Sequence, residues 1–307
     1  MMISVVLLAV VTIAFPKEGL RLPFVDRAYL IGATDSGETN LVVQGRDVAV
    51  HPGGGWVTMV DVTPGTNVIR IGGTRRTFCV QEKPNVSAAA GVQKGAQVAN
   101  PVERVYKKLE YAGDSAKPHP TGRKPEEITV VLDAGHGGED TGAVAPHGLF
   151  EKDANLLLAK AVRRILSERG YNVLMTRDDD SFPALYDRPK VAHRANADAF
   201  ISIHHNAPAF DRDPRTIRYH AVYSWNELGS KLAQAINRRM ARALGDTLRS
   251  NGVMHANFAV TRNPEIPSCL IETDFITTPE GEADCWNEKR RQLIAAAIAD
   301  GFVDWCR

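Results

Sequence analysis

From Glu126 to the C-terminus, short apolar runs alternate with longer stretches of helical period, and this alternation narrows the possible folds more than any other feature of the chain. "ITVVLDAG" reads as a strand. "EKDANLLLAKAVRRILSERG" reads as a helix in which Leu158, Val162, Ile165 and Leu166 recur at helical spacing before Gly170 ends it. "YNVLMTR" is a second strand, "DRPKVAHRANA" a helix with Asp187 as N-cap, and "DAFISIHHN" a third strand. Asn226 opens the helix "ELGSKLAQAINRRMARAL", with Gly245 behind it. "FAVTR" and "SCLIET" are further strands, and a last helix is expected from about Ala283 to Trp305. This rhythm predicts an α/β unit over residues 126–307, with a mostly parallel or mixed central sheet flanked by helices.

Ahead of it the pattern changes. Residues 23–82, which include "NLVVQGRDVAVHPGGGWVTMVDVTPGTNVIRIGG", alternate over short stretches broken by Gly and Pro-Gly, predicting a small all-β, sandwich-like domain. Residues 83–125, rich in Ala, Gly, Gln, Lys and Pro, cannot bury enough apolar surface to fold alone and are expected as a linker, interrupted by a short helix around "NPVERVYKKLEYA". The opening "MMISVVLLAVVTIAFPKEG" holds an apolar run too short to span a bilayer comfortably and suited to a signal-peptide core, which makes residues 1–22 an export segment. Thr12 and Ala14 supply small residues for cleavage, although no Lys or Arg precedes the run; a buried first strand is the alternative.

At 307 residues, about two folded units are expected. The balance of 37 Lys+Arg against 36 Asp+Glu leaves no strong field, which argues against nucleic acid as the main partner, and no stable membrane span is expected in the mature chain. Cys79, Cys269, Cys285 and Cys306 show no CxxC spacing, so no cysteine zinc site is expected. Cys285 and Cys306 sit near the two ends of the predicted last helix, roughly 30 Å apart and beyond disulfide reach. Cys269 is expected to be buried in its strand.

The chemistry lies at strand ends. His136, in "DAGHGGED", follows the first strand, and His204 closes the third, where open α/β sheets build their sites. The two-residue period of "FISIHH" puts Phe200, Ser202 and His204 on one face and Ile201, Ile203 and His205 on the other. Glu151 stands in the first turn of the helix between them. Each residue alone has an ordinary explanation: a solvated strand end for the histidines, a favourable helix dipole for the glutamate. Together, two imidazoles and a carboxylate from three elements form the set that catalytic zinc takes, one ion per chain, with a fourth position left for water. Gly135, Gly137 and Gly138 allow the sharp turn that brings a ligand atom close to the strand. Hydrolysis also needs a proton carrier. Glu272, in "SCLIETDF", lies in an apolar strand where a carboxylate is costly unless it serves or is paired; a structural pair with an arginine such as Arg262 is its alternative.

The ordered set "VVLDAGHGGEDTGAVAPHGLFEKDANLLLAKAVRRIL", "GYNVLMTRDDD", "RANADAFISIHHNA" and "HANFAVTRNPEIPSCLIETDFITT" resembles the zinc-dependent N-acetylmuramoyl-L-alanine amidase catalytic domain of the amidase-3 type, over nearly all of residues 126–307. The resemblance implies that His136, Glu151 and His204 bind Zn2+ and that Glu272 is the catalytic base. It implies hydrolysis of the amide between N-acetylmuramic acid and L-alanine of the peptidoglycan stem peptide. The implied setting is the periplasm or cell envelope after export, in wall remodelling, cell separation or recycling. The N-terminal β domain is similar to immunoglobulin-like sandwiches that precede catalytic domains in exported hydrolases, which implies a wall or division-machinery partner. Two other readings are a zinc hydrolase of another stem-peptide amide and a non-catalytic wall-binding or regulatory protein of the same fold.

Two stretches depart from the family pattern. "TDFITT" replaces a Gly-Phe-Ser-Asn-like run, so Asp274 stands where a glycine is usual, and "IRYHAVY" replaces a Gly-x-Glu-Thr stretch, adding His220 as a structural or substrate-facing residue. His51 and His147 are expected in loops. Between residues 207 and 269 only an ordinary helix and strands are expected, without the inserted helix that plugs the site in some relatives.

Overall fold

The computed structural model describes residues 10–35, 37–82 and 118–307. The expected linker over 83–117, its short helix and the first nine residues of the apolar run lie outside the described residues.

Short alternating stretches build the N-terminal unit: β1 (Val11–Phe15), β2 (Arg21–Leu22), β3 (Arg27–Thr34), β4 (Asn40–Val43), β5 (Arg46–Ala49), β6 (Gly55–Asp61), β7 (Gly65–Ile71) and β8 (Thr74–Val80). Two three-stranded sheets, β1-β3-β6 and β2-β8-β7, and the β4-β5 hairpin share one core around Leu30, Trp56 and Phe78. The expected start of this unit at residue 23 is corrected. Val11–Phe15 pairs antiparallel with β3 and buries Val11 and Ile13, so residues 11–22 belong to the β unit. Composition misled here because a signal core and a buried strand are both apolar; the alternation of "VTIAF" was the discriminating sign.

The second unit holds a six-stranded sheet in the order β10-β9-β11-β14-β12-β13, formed by β9 (Thr129–Ala134), β10 (Asn172–Met175), β11 (Ala199–Asn206), β12 (His220–Ser224), β13 (Ser250–His255) and β14 (Ser268–Phe275). β10, β9, β11 and β14 run parallel, and β12 turns the sheet mixed by pairing antiparallel with β14. Helices α1 (Glu151–Glu168), α3 (Glu227–Leu244) and α5 (Glu288–Cys306) cover one face over a large apolar core, while α2 (Arg188–Arg194) lies on the other with Val131, Phe200 and Leu270. Residues 118–125, expected as linker, join this unit: Arg123 pairs with the buried Asp198 at 2.6 Å, and His119 packs edge-on to Trp305.

Three local expectations change. "FAVTR" forms a turn, with Phe258 packed edge-on to Tyr223 and Val260 buried over the sheet, so its apolar side chains cover the sheet rather than extend it. The outer strand is instead β13, whose "SNGVMH" is too polar to announce itself. The last helix breaks at Asn287, whose side chain accepts from the Arg290 amide; α4 (Pro279–Trp286) precedes the break. Asp187 precedes α2 but makes no side-chain cap, and bonds Lys190 instead. Cys269 is buried in β14, and all four cysteines are free thiols.

The two units touch. The Phe15 ring stacks between Tyr29, at 4.8 Å, and Phe210 of the β11–β12 loop, at 5.8 Å, and the Tyr29 amide donates to the Phe210 carbonyl. His147, bonded to Glu282 at 2.7 Å, packs against Gly55, where a side chain would also press on Pro279. Lys17 donates to Thr141.

Candidate metal centre

Strand order brings the site together before any side chain is considered. β9, β11 and β14 are adjacent, so the turn after β9, the end of β11 and the end of β14 open on one edge. His136 lies in that turn, His204 in β11, and Glu151 at the start of α1. The three offer ligand atoms all within 4.8 Å of one another. Glu151 Oε1 lies 3.2 Å from His136 Nε2 and 3.0 Å from His204 Nδ1, and the two rings meet edge to face.

Close approach explains two glycines. A Cβ on Gly135 would lie 2.2 Å from the His204 ring, so only glycine admits that imidazole. Gly142, not singled out from the sequence, has φ +61°, and a Cβ there would lie 2.6 Å from Glu151 Oε2. His136 itself sits in the left-handed region at φ +62°, a costly conformation for a residue with a side chain. Two buried arginines hold it there. Arg188 donates to the carbonyls of Ala134 and His136 and pairs with Asp133, while Arg177 donates to the carbonyls of Ala134, Gly135 and Lys152. Asp133 also accepts from Thr176 and Ser202.

Asp140 lies 2.8 Å from His136 Nδ1, fixing the ring so that Nε2 faces Glu151. Neither Asp140 nor the arginines was singled out from the sequence; the acid four residues after a histidine in "GHGGED" was the available sign. Burial works against charge on His136, but the Glu151 and Asp140 carboxylates outweigh it and push the imidazole up to about 9. Burial likewise disfavours charge on Glu151, yet hydrogen bonds from both histidines hold its carboxyl well below the usual range. An ionised, buried carboxylate facing two imidazoles is a place where a divalent cation competes with a proton. The donor set therefore fits zinc.

Glu272 is the register partner of His204 in the parallel β11–β14 ladder. Its Oε2 is buried without a hydrogen-bond partner, and Arg262 donates instead to the Asn257 carbonyl. Burial, with the Glu151 charge across the site, lifts the Glu272 carboxyl well above the ordinary carboxylate range. His136, His204 and Glu272 all line one cleft of about 460 Å³, whose apolar walls include Phe182, Leu185 and Phe258.

The other histidines fall elsewhere. His205 is buried on the opposite face of β11, His220 is buried and is not one of the three grouped ligands, His147 packs between the units, and His51 accepts from the Gly53 amide in its turn. The two departures from the family pattern prove to be one arrangement. Asp274 is buried against Arg218, at 2.6 Å, and Arg218 comes from the "IRYHAVY" stretch and also binds Asp284 at 2.7 Å. Between residues 207 and 267 the chain forms a 3-10 turn, β12, α3 and β13, with no inserted helix at the cleft.

Comparison with known proteins places the chain in a family. The Amidase_3 family, described as N-acetylmuramoyl-L-alanine amidase, matches residues 130–304. N-acetylmuramoyl-L-alanine amidase AmiA of Escherichia coli K12 is 34% identical over 221 residues, covering 57% of this chain and 75% of that protein. The probable cell wall amidase LytH of Staphylococcus epidermidis is 34% identical over 179 residues, covering 58% of each chain. Among solved structures, N-acetylmuramoyl-L-alanine amidase AmiC2 of Nostoc punctiforme superposes with a TM-score of 0.55 at 36% identity, covering 58% of this chain and 97% of that one. The sheet, the cleft and the match along residues 130–304 lead to one conclusion: the chain belongs to the N-acetylmuramoyl-L-alanine amidase family.

Proposed function

We propose that His136, Glu151 and His204 hold one zinc ion and that Glu272 is the proton carrier of a hydrolase that cleaves the amide between N-acetylmuramic acid and L-alanine in peptidoglycan. The observation that carries this reading is the meeting of three ligand atoms within 4.8 Å beside Glu272, which lines the same cleft and whose Oε2 is buried without a hydrogen-bond partner. When bound, zinc acts as a Lewis acid that makes water nucleophilic near neutral pH and polarises an amide carbonyl. The chain supplies the rest. Asp140 and Glu151 orient the two imidazoles. The raised proton affinity of Glu272 suits it to take a proton from water and return it to the departing alanine amine. The cleft walls keep the carbonyl near that carboxylate, which removes part of the orientation cost.

Catalysis is assigned to residues 126–307, and the β unit to holding the enzyme near a wall or division-machinery partner. Export to the periplasm or cell envelope follows from a peptidoglycan substrate; among the described residues no helix is long and apolar enough to cross a membrane.

The test is digestion of purified peptidoglycan by the full chain, with and without chelator and beside Glu272→Ala, with mass analysis and amino-terminal identification of the released peptides. Stem peptides beginning with L-alanine, lost with chelator and with the substitution, support the proposal. A different new amine would assign another stem-peptide bond, and zinc bound without hydrolysis would leave a non-catalytic wall-binding protein.

A further inference from the structure

His205 follows a proposed ligand yet points away from it, into the core face of β11. There its Nδ1 lies 2.8 Å from Asn155 Oδ1. Asn155, fully buried, lies four residues after Glu151 and so on the same side of α1. Its Nδ2 faces two acceptors, the Gly135 carbonyl at 3.2 Å and Glu151 Oε1 at 3.2 Å. Those two acceptors settle which end of the amide is nitrogen. Oδ1 must then face His205, and the His205 Nδ1 must carry the hydrogen.

The donors form a directed chain: His205 Nδ1–H to Asn155 Oδ1, and Asn155 Nδ2–H to Glu151 Oε1. The His205 backbone amide reaches the same carboxylate oxygen at 3.3 Å, and the Ala143 amide holds Oε2 at 2.9 Å. Three of these groups donate to Glu151 directly, Asn155 Nδ2 and the His205 amide to Oε1 and the Ala143 amide to Oε2, while Oε1 also faces His136 and His204.

We propose that Asn155 and His205 are positioning residues that fix the Glu151 carboxylate in its metal-facing orientation, so that the dipeptide His204-His205 serves the centre with both of its side chains. This rests on the zinc reading above. Asn155 fixes the rotation of the carboxylate, and His205 fixes the rotation of Asn155. Without the His205 donor, the buried Asn155 Oδ1 loses its hydrogen bond, so the amide is held only through Nδ2 and positions the Glu151 carboxylate less firmly.

The experiment measures zinc affinity by chelator competition, and the thermal midpoint of the metal-free protein, in the full chain and in three variants. Asn155→Leu and His205→Leu are expected to weaken zinc binding about 10- to 100-fold. His205→Asn, whose side-chain amide places a donor where Nδ1 stood, is expected to restore affinity to within about threefold of the parent, the margin below the usual effect of losing such a partner. A loss that follows the metal-free midpoint alone, in all three variants alike, or zinc affinity unchanged in His205→Leu, would overturn the proposal. A parent chain that binds no zinc would instead overturn the metal reading and is read separately, before any variant is compared.

Discussion

Glu272 and His204 stand side by side in the parallel β11–β14 ladder, one with a carboxylate oxygen, Oε2, buried without a hydrogen-bond partner and the other an imidazole facing Glu151. The pairing sets the proton carrier one strand away from the proposed ligands, about 5 Å in the hydrogen-bonding direction of a sheet. Glu272→Gln is therefore expected to lower turnover of peptidoglycan by about 10²- to 10⁴-fold while leaving bound zinc at parent levels. Metal content measured beside turnover checks it; zinc lost together with activity would make Glu272 part of the metal-holding set.

Asp140 is expected to act through His136. Asp140→Ala removes the acceptor 2.8 Å from Nδ1 and should weaken zinc binding about 10- to 100-fold, with little effect on the fold because the Asp140 side chain is 45% exposed. Chelator competition, with urea unfolding as the control, decides it.

The Arg218–Asp274 pair is expected to be costly to break from one side. Arg218→Ala leaves a buried carboxylate without its cation and should destabilise the protein by about 3 kcal/mol, the low end for buried pairs because Arg218 keeps part of its surface in water. The double substitution Arg218→Leu with Asp274→Gly should recover much of that loss. Urea unfolding of both variants tests it, and an additive double variant would refute the coupling.

His220 gives a pH signature. It is fully buried, and burial, helped by the Arg290 charge, pulls its imidazole down to about 4. Above the ordinary histidine value near 6.5 the ring is neutral in folded and unfolded chains alike, and it costs nothing. As pH falls below that, the unfolded chain takes up a proton that the folded chain refuses, so stability declines by about 1.4 kcal/mol per pH unit until the folded ring itself titrates. From pH 7 to pH 5 the parent should lose about 2 kcal/mol more than His220→Leu, the difference cancelling the carboxylates common to both. Equal losses would show that His220 carries no such shift.

The sequence foretold most where residue identity and position coincide. The strand before His136, the strand that carries His204 and the strand that carries Glu272 are apolar runs marked by chemically conspicuous residues, and the structure brings these residues to one edge of the sheet. What it hid is what depends on meeting across the chain. Arg177 and Arg188 look like ordinary surface charges in sequence, yet they bind the carbonyls of residues 134–136. Asn155 lies inside a helical pattern that marks only its apolar neighbours. β13 and "FAVTR" exchanged roles because apolar content reports burial, and burial over a sheet face and burial within a sheet leave the same trace.

The stack of Phe15 on Tyr29 and Phe210 has a bearing on how such an enzyme would work on a wall. A binding module on a leash lets the blade sweep a sphere of bonds around each anchorage. A module seated on the β11–β12 loop works differently: under the role proposed for the β unit, whatever it held would lie at a set offset and bearing from Glu272. Cuts made by such a tool would fall in register with the lattice it holds, and their spacing along the wall would record the distance between grip and cleft.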